Sequence, residues 1–169
     1  MIILGIDPGS TRAGYGVINF PQKGGQKPEF IDGGIIQVFS KDKSQRLVDL
    51  KNSLIPIIKK FSPDVAGIEK LYFVKNMKTA LEVAQSRGVI MMCLQENKIP
   101  MEEFTPLEVK QGVCGYGNAD KIAVTKMVKR ILKIEDLNQP DDVYDALAIA
   151  IISGYSIKNK KPENQPKNL

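Results

Sequence analysis

The sequence predicts a single α/β domain built on a mixed five-stranded sheet with helices on both faces. Three observations predict it. Three strand-like segments lie together near the N-terminus, helices and strands alternate after them, and 169 residues are enough to bury one hydrophobic core. We expect this domain to span residues 1–157, followed by a basic, disordered tail at 158–169.

The first half of the chain contains four of the predicted strands and one helix. Short apolar runs bounded by turn residues predict strands at 2–7, 14–20, 29–39 and 64–69. Residues 43–61 predict a helix, because apolar side chains recur on one face: Leu47, Leu50, Leu54 and Ile57 or Ile58. Pro56 should kink this helix or begin a separate last turn.

Helices dominate the second half of the chain. The predicted elements are, in order, a long helix, a fifth strand and two further helices: 76–98, 100–106, 107–113 and 119–133. Asn118 is a suitable cap for the last of these, and Pro140 should lie in the first turn of a final helix. Three strands followed by alternating helices and strands are typical of the ribonuclease-H-like arrangement.

Composition narrows the possible chemistry. No apolar run approaches the ~20 residues that span a bilayer, and no basic region precedes an apolar one at the N-terminus, so we expect a soluble, cytoplasmic protein without a membrane partner. The net charge of +5 favours a polyanionic partner only weakly, since much of it lies in the tail. The chain has no histidine, which excludes Ser-His-Asp and Cys-His sites and histidine-based zinc sites. Hydrolytic chemistry would therefore depend on carboxylates, lysines or a bound metal.

Three acidic residues lie at the start of the predicted final helix. Asp141 and Asp142 fall in its first turn, where the helix dipole favours anions by ~0.3–1 kcal/mol each, and for Asp141 this structural role is a sufficient explanation. Asp145 shares a face with Asp142 and lies at the entrance to the apolar stretch ALAIAII. A buried carboxylate needs a positive partner, which lysine, arginine or a metal could supply.

Two further acids end predicted strands, Asp7 in IILGID and Glu69 in DVAGIE. Either could simply form a turn, and DPG is a good turn sequence. If the two strands are neighbours and the final helix packs across them, however, four carboxylates meet at one edge of the sheet. These carboxylates would repel one another unless divalent cations bind between them. Oxygen ligands suit Mg²⁺ or Mn²⁺, and a pair of such ions is the two-metal arrangement that cleaves phosphodiesters.

Four segments of the sequence together match one family. The segments are ILGIDPGSTRAGYGVI, GIEKLYFVKNMKTALEVAQSRGV, PLEVKQGVCGYGNADK and DDVYDALAIAI, in this order within residues 2–156. They resemble the RuvC-type crossover-junction endonucleases of bacteria, the Holliday junction resolvases. The resemblance implies a ribonuclease-H-like homodimer that nicks strands of like polarity symmetrically in a four-way DNA junction and leaves 5′-phosphate and 3′-hydroxyl ends. It also implies two Mg²⁺ ions per subunit, replaceable by Mn²⁺, held by Asp7, Glu69, Asp142 and Asp145.

The same resemblance implies DNA contacts and protein partners. Lys110 and Lys121 match basic positions near the scissile phosphate, although lysines of this kind are also common on solvated surfaces. Tyr72 matches an aromatic position that packs on unpaired bases, with Phe73 beside it, and either ring could stack or lie in the core. The helix TALEVAQSRGV resembles the dimer helix of the family, although burial against the protein's own sheet would explain its small residues equally well. The RuvA and RuvB branch-migration proteins are further implied partners.

Three other functions compete with this one. DPGST resembles the first phosphate loop of actin-like ATP-binding domains and sugar kinases, but those proteins need two such domains and a second phosphate loop. The smaller RuvC-like RNA-processing nucleases share the fold and the acids, but the KQxVxGxG block and the dimer-helix motif argue against them. A junction-binding module without catalysis is disfavoured because all four acids are present.

Overall fold

The computed structural model describes residues 1–22, 26–71 and 77–159 of the chain. Within these ranges the strands are β1 (Ile2–Asp7), β2 (Arg12–Asn19), β3 (Glu29–Gln37), β4 (Val65–Glu69) and β5 (Met101–Phe104). The helices are α1 (Lys43–Phe61), α2 (Met77–Glu96), α3 (Pro106–Cys114), α4 (Lys121–Leu132) and α5 (Asp141–Asn159). The order of elements is the predicted one, and the predicted boundaries differ from these by two residues or fewer.

The strands form one mixed sheet in the order β3-β2-β1-β4-β5. β1 pairs antiparallel with β2, and β2 pairs antiparallel with β3. β1 pairs parallel with β4, and β4 with β5, because in each case the chain returns across the sheet through a helix. The predicted mixed five-stranded sheet is therefore confirmed.

Helices cover both faces of the sheet, as predicted. Side chains alternate along each strand, so β1 presents Ile3 to one face and Leu4 and Ile6 to the other. The face with Ile3 packs against α5, α3 and α4, whereas the opposite face packs against α1 and α2.

The apolar stretch of α5 lies in the middle of this packing. Residues 146–151 are almost completely inaccessible to solvent, because the sheet covers one side of the helix while α3 and α4 cover the other. This burial confirms the prediction that the stretch belongs to a buried helix. No helix within the described ranges has both the length and the hydropathy that crossing a bilayer requires.

Glycines in the sheet allow α5 to approach it closely. At Gly5 of β1, an added Cβ atom would collide with the backbone carbonyl oxygen of Ala146, and at Gly14 of β2 it would collide with that of Asp142. A side chain at either position would push the first turns of α5 away from the sheet. Because Gly14 pairs with Asp7 across the β1–β2 ladder, the start of α5 is fixed over the end of β1.

The proline in α1 does not divide the helix. α1 runs through Pro56 as one element, so the alternative of a separate last turn is wrong. Pro56 and Asn52, whose carbonyl loses its helical partner to the proline ring, are both exposed residues. Water can satisfy that carbonyl, which makes an interior proline tolerable here.

Two helix starts differ in detail from the predictions. Asn118 does not cap α4, because the N-cap is Asp120, whose Oδ1 accepts the backbone N–H of Ala123 at 2.7 Å. α5 begins at Asp141, so Pro140 directly precedes the helix instead of lying in its first turn. Both differences are within the one or two residues by which helix ends are commonly uncertain.

Candidate active site

The two strand-end acids lie side by side. β1 and β4 are parallel neighbours, paired in register up to the residue before each acid, so Asp7 and Glu69 follow as the next pair. Each acid lies two positions after a glycine that faces α5, Gly5 in β1 and Gly67 in β4. Because side chains alternate along a strand, both carboxylates point to the face that α5 covers.

α5 brings the other two acids to the same edge of the sheet. The backbone of Asp142 rests on Gly14, the β2 residue that pairs with Asp7. Asp145 lies three residues further along α5, on the same side of the helix. Together with Asp7 and Glu69, Asp145 lines a cleft of about 320 Å³. The four acids predicted from the sequence are therefore neighbours at the carboxyl ends of β1 and β4.

Burial and, to a smaller extent, the proximity of these acids change their protonation. Burial raises the pKa of Asp7 to about 8, and the negative charges of Glu69, Asp145 and Asp142 contribute to this rise. Burial also raises the pKa of Glu69 and of Asp145. Without a bound metal ion, Asp7 therefore holds a proton at neutral pH, even though the charge of Lys121 acts to lower its pKa.

Two lysines border the same cleft. Lys121 Nζ lies 3.4 Å from Asp145 Oδ2, and its charge partly offsets the effect of burial on the pKa of that carboxyl. Lys110 also lines the cleft, where its charge acts to lower the pKa of Glu69. The family resemblance implied that both lysines lie near the scissile phosphate; in the structure both line the cleft that contains the acids, and their contact with phosphate stays a prediction.

Asp142 has a different cationic partner, Arg12 at the start of β2. Arg12 Nη2 lies 2.8 Å from Asp142 Oδ2. That oxygen is buried and accepts no hydrogen bond, so the contact is an ion pair without hydrogen-bond geometry. Arg12 thus neutralises the charge of the Asp142 carboxylate, but Oδ2 remains available to accept a hydrogen bond or to bind a metal ion.

The chemistry of these residues fits a divalent cation. Across ranges 1–22, 26–71 and 77–159, no group of three or more acidic, cysteine or histidine side chains is already arranged around one ion position. Lys121 and Arg12 instead neutralise two of the carboxylates. The proton on Asp7 and the unused oxygen of Asp142 are both features that a bound cation would remove. Four carboxylates without thiolate or imidazole ligands suit Mg²⁺ or Mn²⁺ better than zinc.

Comparison with known proteins places this arrangement in a family. The family model described as "Crossover junction endodeoxyribonuclease RuvC" matches residues 3–153. The chain belongs to this RuvC family. It is 44% identical over 155 residues to the RuvC protein of Petrotoga mobilis, a match that covers 91% of this chain and 93% of that protein. It is 46% identical over 163 residues to the RuvC protein of Halothermothrix orenii, covering 95% of this chain and 97% of that one.

A solved structure extends the RuvC comparison to three dimensions. T. thermophilus RuvC in complex with Holliday junction substrate matches with a TM-score of 0.86 and 28% sequence identity, over 94% of this chain and 95% of that chain. The predicted family and the ribonuclease-H-like architecture are both confirmed.

The structure also shows two arginines at the RuvC site that sequence reasoning did not single out. One is Arg12. The other is Arg87 of α2, whose Nε donates to the backbone carbonyl of Glu69 at 3.1 Å and whose Nη2 pairs with Glu103 of β5. The position of Arg12 directly after the DPGST turn was a signal that could have revealed it, whereas nothing in the sequence links Arg87 to Glu69.

The two predicted aromatic DNA contacts, Tyr72 and Phe73, lie outside the described residues. Their stacking on bases stays a prediction.

Proposed function

We propose that this chain is a Holliday junction resolvase, an endonuclease that cuts four-way DNA junctions with the help of divalent metal ions. The observation that carries the proposal is the convergence of Asp7, Glu69 and Asp145 in one cleft bordered by Lys110 and Lys121. Acids that hold a metal ion and lysines that bind a phosphate can together hydrolyse a phosphodiester without histidine. The T. thermophilus relative in complex with Holliday junction substrate supports the choice of substrate.

The four acids would hold the metal. Asp7 and Glu69 are fixed by the sheet and Asp142 and Asp145 by α5, so the donors lie on rigid elements. When bound, a pair of Mg²⁺ or Mn²⁺ ions would supply activation of a water molecule and stabilisation of charge on the leaving oxygen. Hydrolysis in which the 3′ oxygen departs would leave 5′-phosphate and 3′-hydroxyl ends.

The lysines would position the DNA. Lys121 is the more exposed member of its ion pair, with 67% of its side chain accessible against 31% for Asp145. With Asp145 neutralised by a metal ion, Lys121 would be free to bind a phosphate of the strand to be cut. Lys110, on the other element bordering the cleft, would bind a second phosphate oxygen, and Tyr72 or Phe73 would stack on unpaired bases at the crossover.

Two subunits would act on one junction. Symmetric nicks in strands of like polarity require two active sites related by a two-fold axis. α2 carries exposed apolar side chains, including Leu81 and Met92, which are 64% and 42% accessible. An exposed apolar helix face of this kind supports the proposal that α2 is the homodimer helix. RuvA and RuvB are the corresponding proposed partners in branch migration.

A synthetic mobile four-way junction tests the function. Each strand is end-labelled in turn and incubated with the protein in Mg²⁺ or in EDTA. We expect nicks only in Mg²⁺, in two strands of like polarity at matching positions, with products that a DNA ligase can seal. The matched controls are a linear DNA duplex and an RNA stem-loop of the same base composition. Preferential cleavage of the RNA would favour the RNA-processing alternative and contradict the proposal.

A further inference from the structure

The ion pair between Arg12 and Asp142 is asymmetric in its exposure. The Arg12 side chain is 58% accessible to solvent, whereas that of Asp142 is 20% accessible. Asp142 is also fixed by its backbone, which lies directly on Gly14. The backbone that carries the anion is therefore fixed and the carboxylate is largely buried. The Arg12 side chain can return to water at small cost to itself, but the carboxylate left behind needs another positive charge.

The contact itself is easily exchanged. Arg12 Nη2 approaches Asp142 Oδ2 to 2.8 Å, but the oxygen accepts no hydrogen bond. Arginine usually binds a carboxylate through directional, often paired hydrogen bonds, and these are the source of its strength. Without them, the interaction depends on charge alone, and a second positive charge at the same oxygen can replace the first.

Arg12 is the counterpart of Lys121 on the other side of the acids. Lys121 neutralises Asp145 at the cleft, and Arg12 neutralises Asp142 three residues earlier on α5. Both cations are on the exposed side of their pairs. The acids are thus bordered by two removable positive charges, one contributed by β2 and one by α4.

We propose that Arg12 is a displaceable counter-ion of the metal site, which neutralises Asp142 in the metal-free protein and competes with the divalent ion for that carboxylate. This inference rests on the proposed metal-binding function. Arg12 is not a catalytic residue in this view, because it touches neither substrate nor reacting atoms. It sets the affinity of the site by occupying one ligand until the metal arrives.

Metal binding to the full-length protein without DNA tests the proposal. Arg12→Gln removes the competing charge, so calorimetric titration with Mn²⁺ should show affinity roughly two- to fivefold tighter than that of the unaltered protein, the range expected for loss of an exposed ion pair. The matched control is Lys60→Gln, which removes a similarly exposed cation paired with Asp32 at 3.0 Å. Lys60 belongs to α1, which packs on the face of the sheet opposite α5. Its affinity for Mn²⁺ should be unchanged.

Thermal unfolding provides the second measurement. In EDTA, Arg12→Gln should lower the Tm because Asp142 loses the cation that is paired with it. Saturating Mn²⁺ should raise the Tm of this variant by more than that of the unaltered protein. Unchanged or weaker Mn²⁺ binding by Arg12→Gln, with normal binding by the unaltered protein, would overturn this inference and leave the nuclease proposal intact. Failure of the unaltered protein to bind Mn²⁺ at all would overturn both.

Discussion

Replacing Asp7 with asparagine should make the metal-free protein more stable near neutral pH. The pKa of Asp7 is raised from 3.8 to about 8 by burial and by the neighbouring carboxylates. Between these two pH values the folded protein retains a proton that the unfolded chain has released. The free energy of unfolding therefore decreases as the pH rises from about 4 to about 8, and it becomes independent of Asp7 above that range.

The size of this effect follows from the pKa values. Each pH unit between them lowers the free energy of unfolding by at most about 1.4 kcal/mol, so the loss at pH 7 is at most about 4 kcal/mol. Water entry and side-chain movement reduce this maximum. We expect Asp7→Asn, which keeps the shape and has no charge to lose, to gain about 1–3 kcal/mol relative to the unaltered protein between pH 4 and pH 7.

Chemical denaturation in EDTA at a series of pH values measures this difference. The quantity to compare is the difference in free energy of unfolding between Asp7→Asn and the unaltered protein, followed as a function of pH. Any destabilisation caused by the asparagine side chain itself is the same at every pH and does not affect this dependence. Asp136→Asn, in an exposed loop, is the matched control and should run parallel to the unaltered protein. If Asp7→Asn also runs parallel from pH 4 to pH 8, then Asp7 is not protonated in the folded state and the electrostatic description of the site is wrong.

Three further predictions concern metal, rate and DNA. Affinity for Mg²⁺ should increase with pH and level off near pH 8, because the metal must displace the proton from Asp7. Calorimetric titrations at pH 7 in buffers of different ionisation enthalpy should show the release of that proton. Arg87→Met should slow junction cleavage by about ten- to a hundredfold, because it removes the hydrogen bond that holds the strand end carrying Glu69. Glu103→Gln removes the ion pair of Arg87 but leaves its hydrogen bond to the Glu69 carbonyl, so it should slow cleavage less. Lys121→Ala should weaken junction binding and reduce its salt slope by about one, and an unchanged slope would argue against a phosphate contact.

The sequence was most informative where local and tertiary preferences agree. The bounds of β1 at 2–7 and of α1 at 43–61 were predicted correctly. A short apolar run bounded by a turn fixes β1, and a one-sided apolar stripe fixes α1. The cap of α4 was not, because Asn118 and Asp120 both have side chains suited to the position and only the path of the preceding loop selects between them.

The acids and the two lysines of the site were predictable, but its two arginines were not. Asp7 and Glu69 could be recognised because each ends an apolar strand, but only the pairing of β1 with β4 makes them neighbours. Arg12 pairs with Asp142, which lies 130 residues later in the chain. Arg87 contacts Glu69, 18 residues earlier, and Glu103, 16 residues later. No local sequence pattern predicts either set of contacts. Long-range ion pairs of this kind depend on the assembled fold, and the sequence alone does not specify them.

The fold can hold four repelling acids because the element that carries two of them is firmly anchored. Leu147, Ile149 and Ile151 of α5 are fully buried, and each contributes about 1.5–3 kcal/mol by its burial. Together these side chains offset the cost of at most about 4 kcal/mol assigned to Asp7 at pH 7. The glycines under α5 allow the helix to lie directly on the sheet, which fixes its position. The helix cannot move away from the sheet to relieve the repulsion without losing its apolar contacts. Relief must therefore come from added positive charge, so a divalent ion should stabilise the folded protein as well as supply its chemistry.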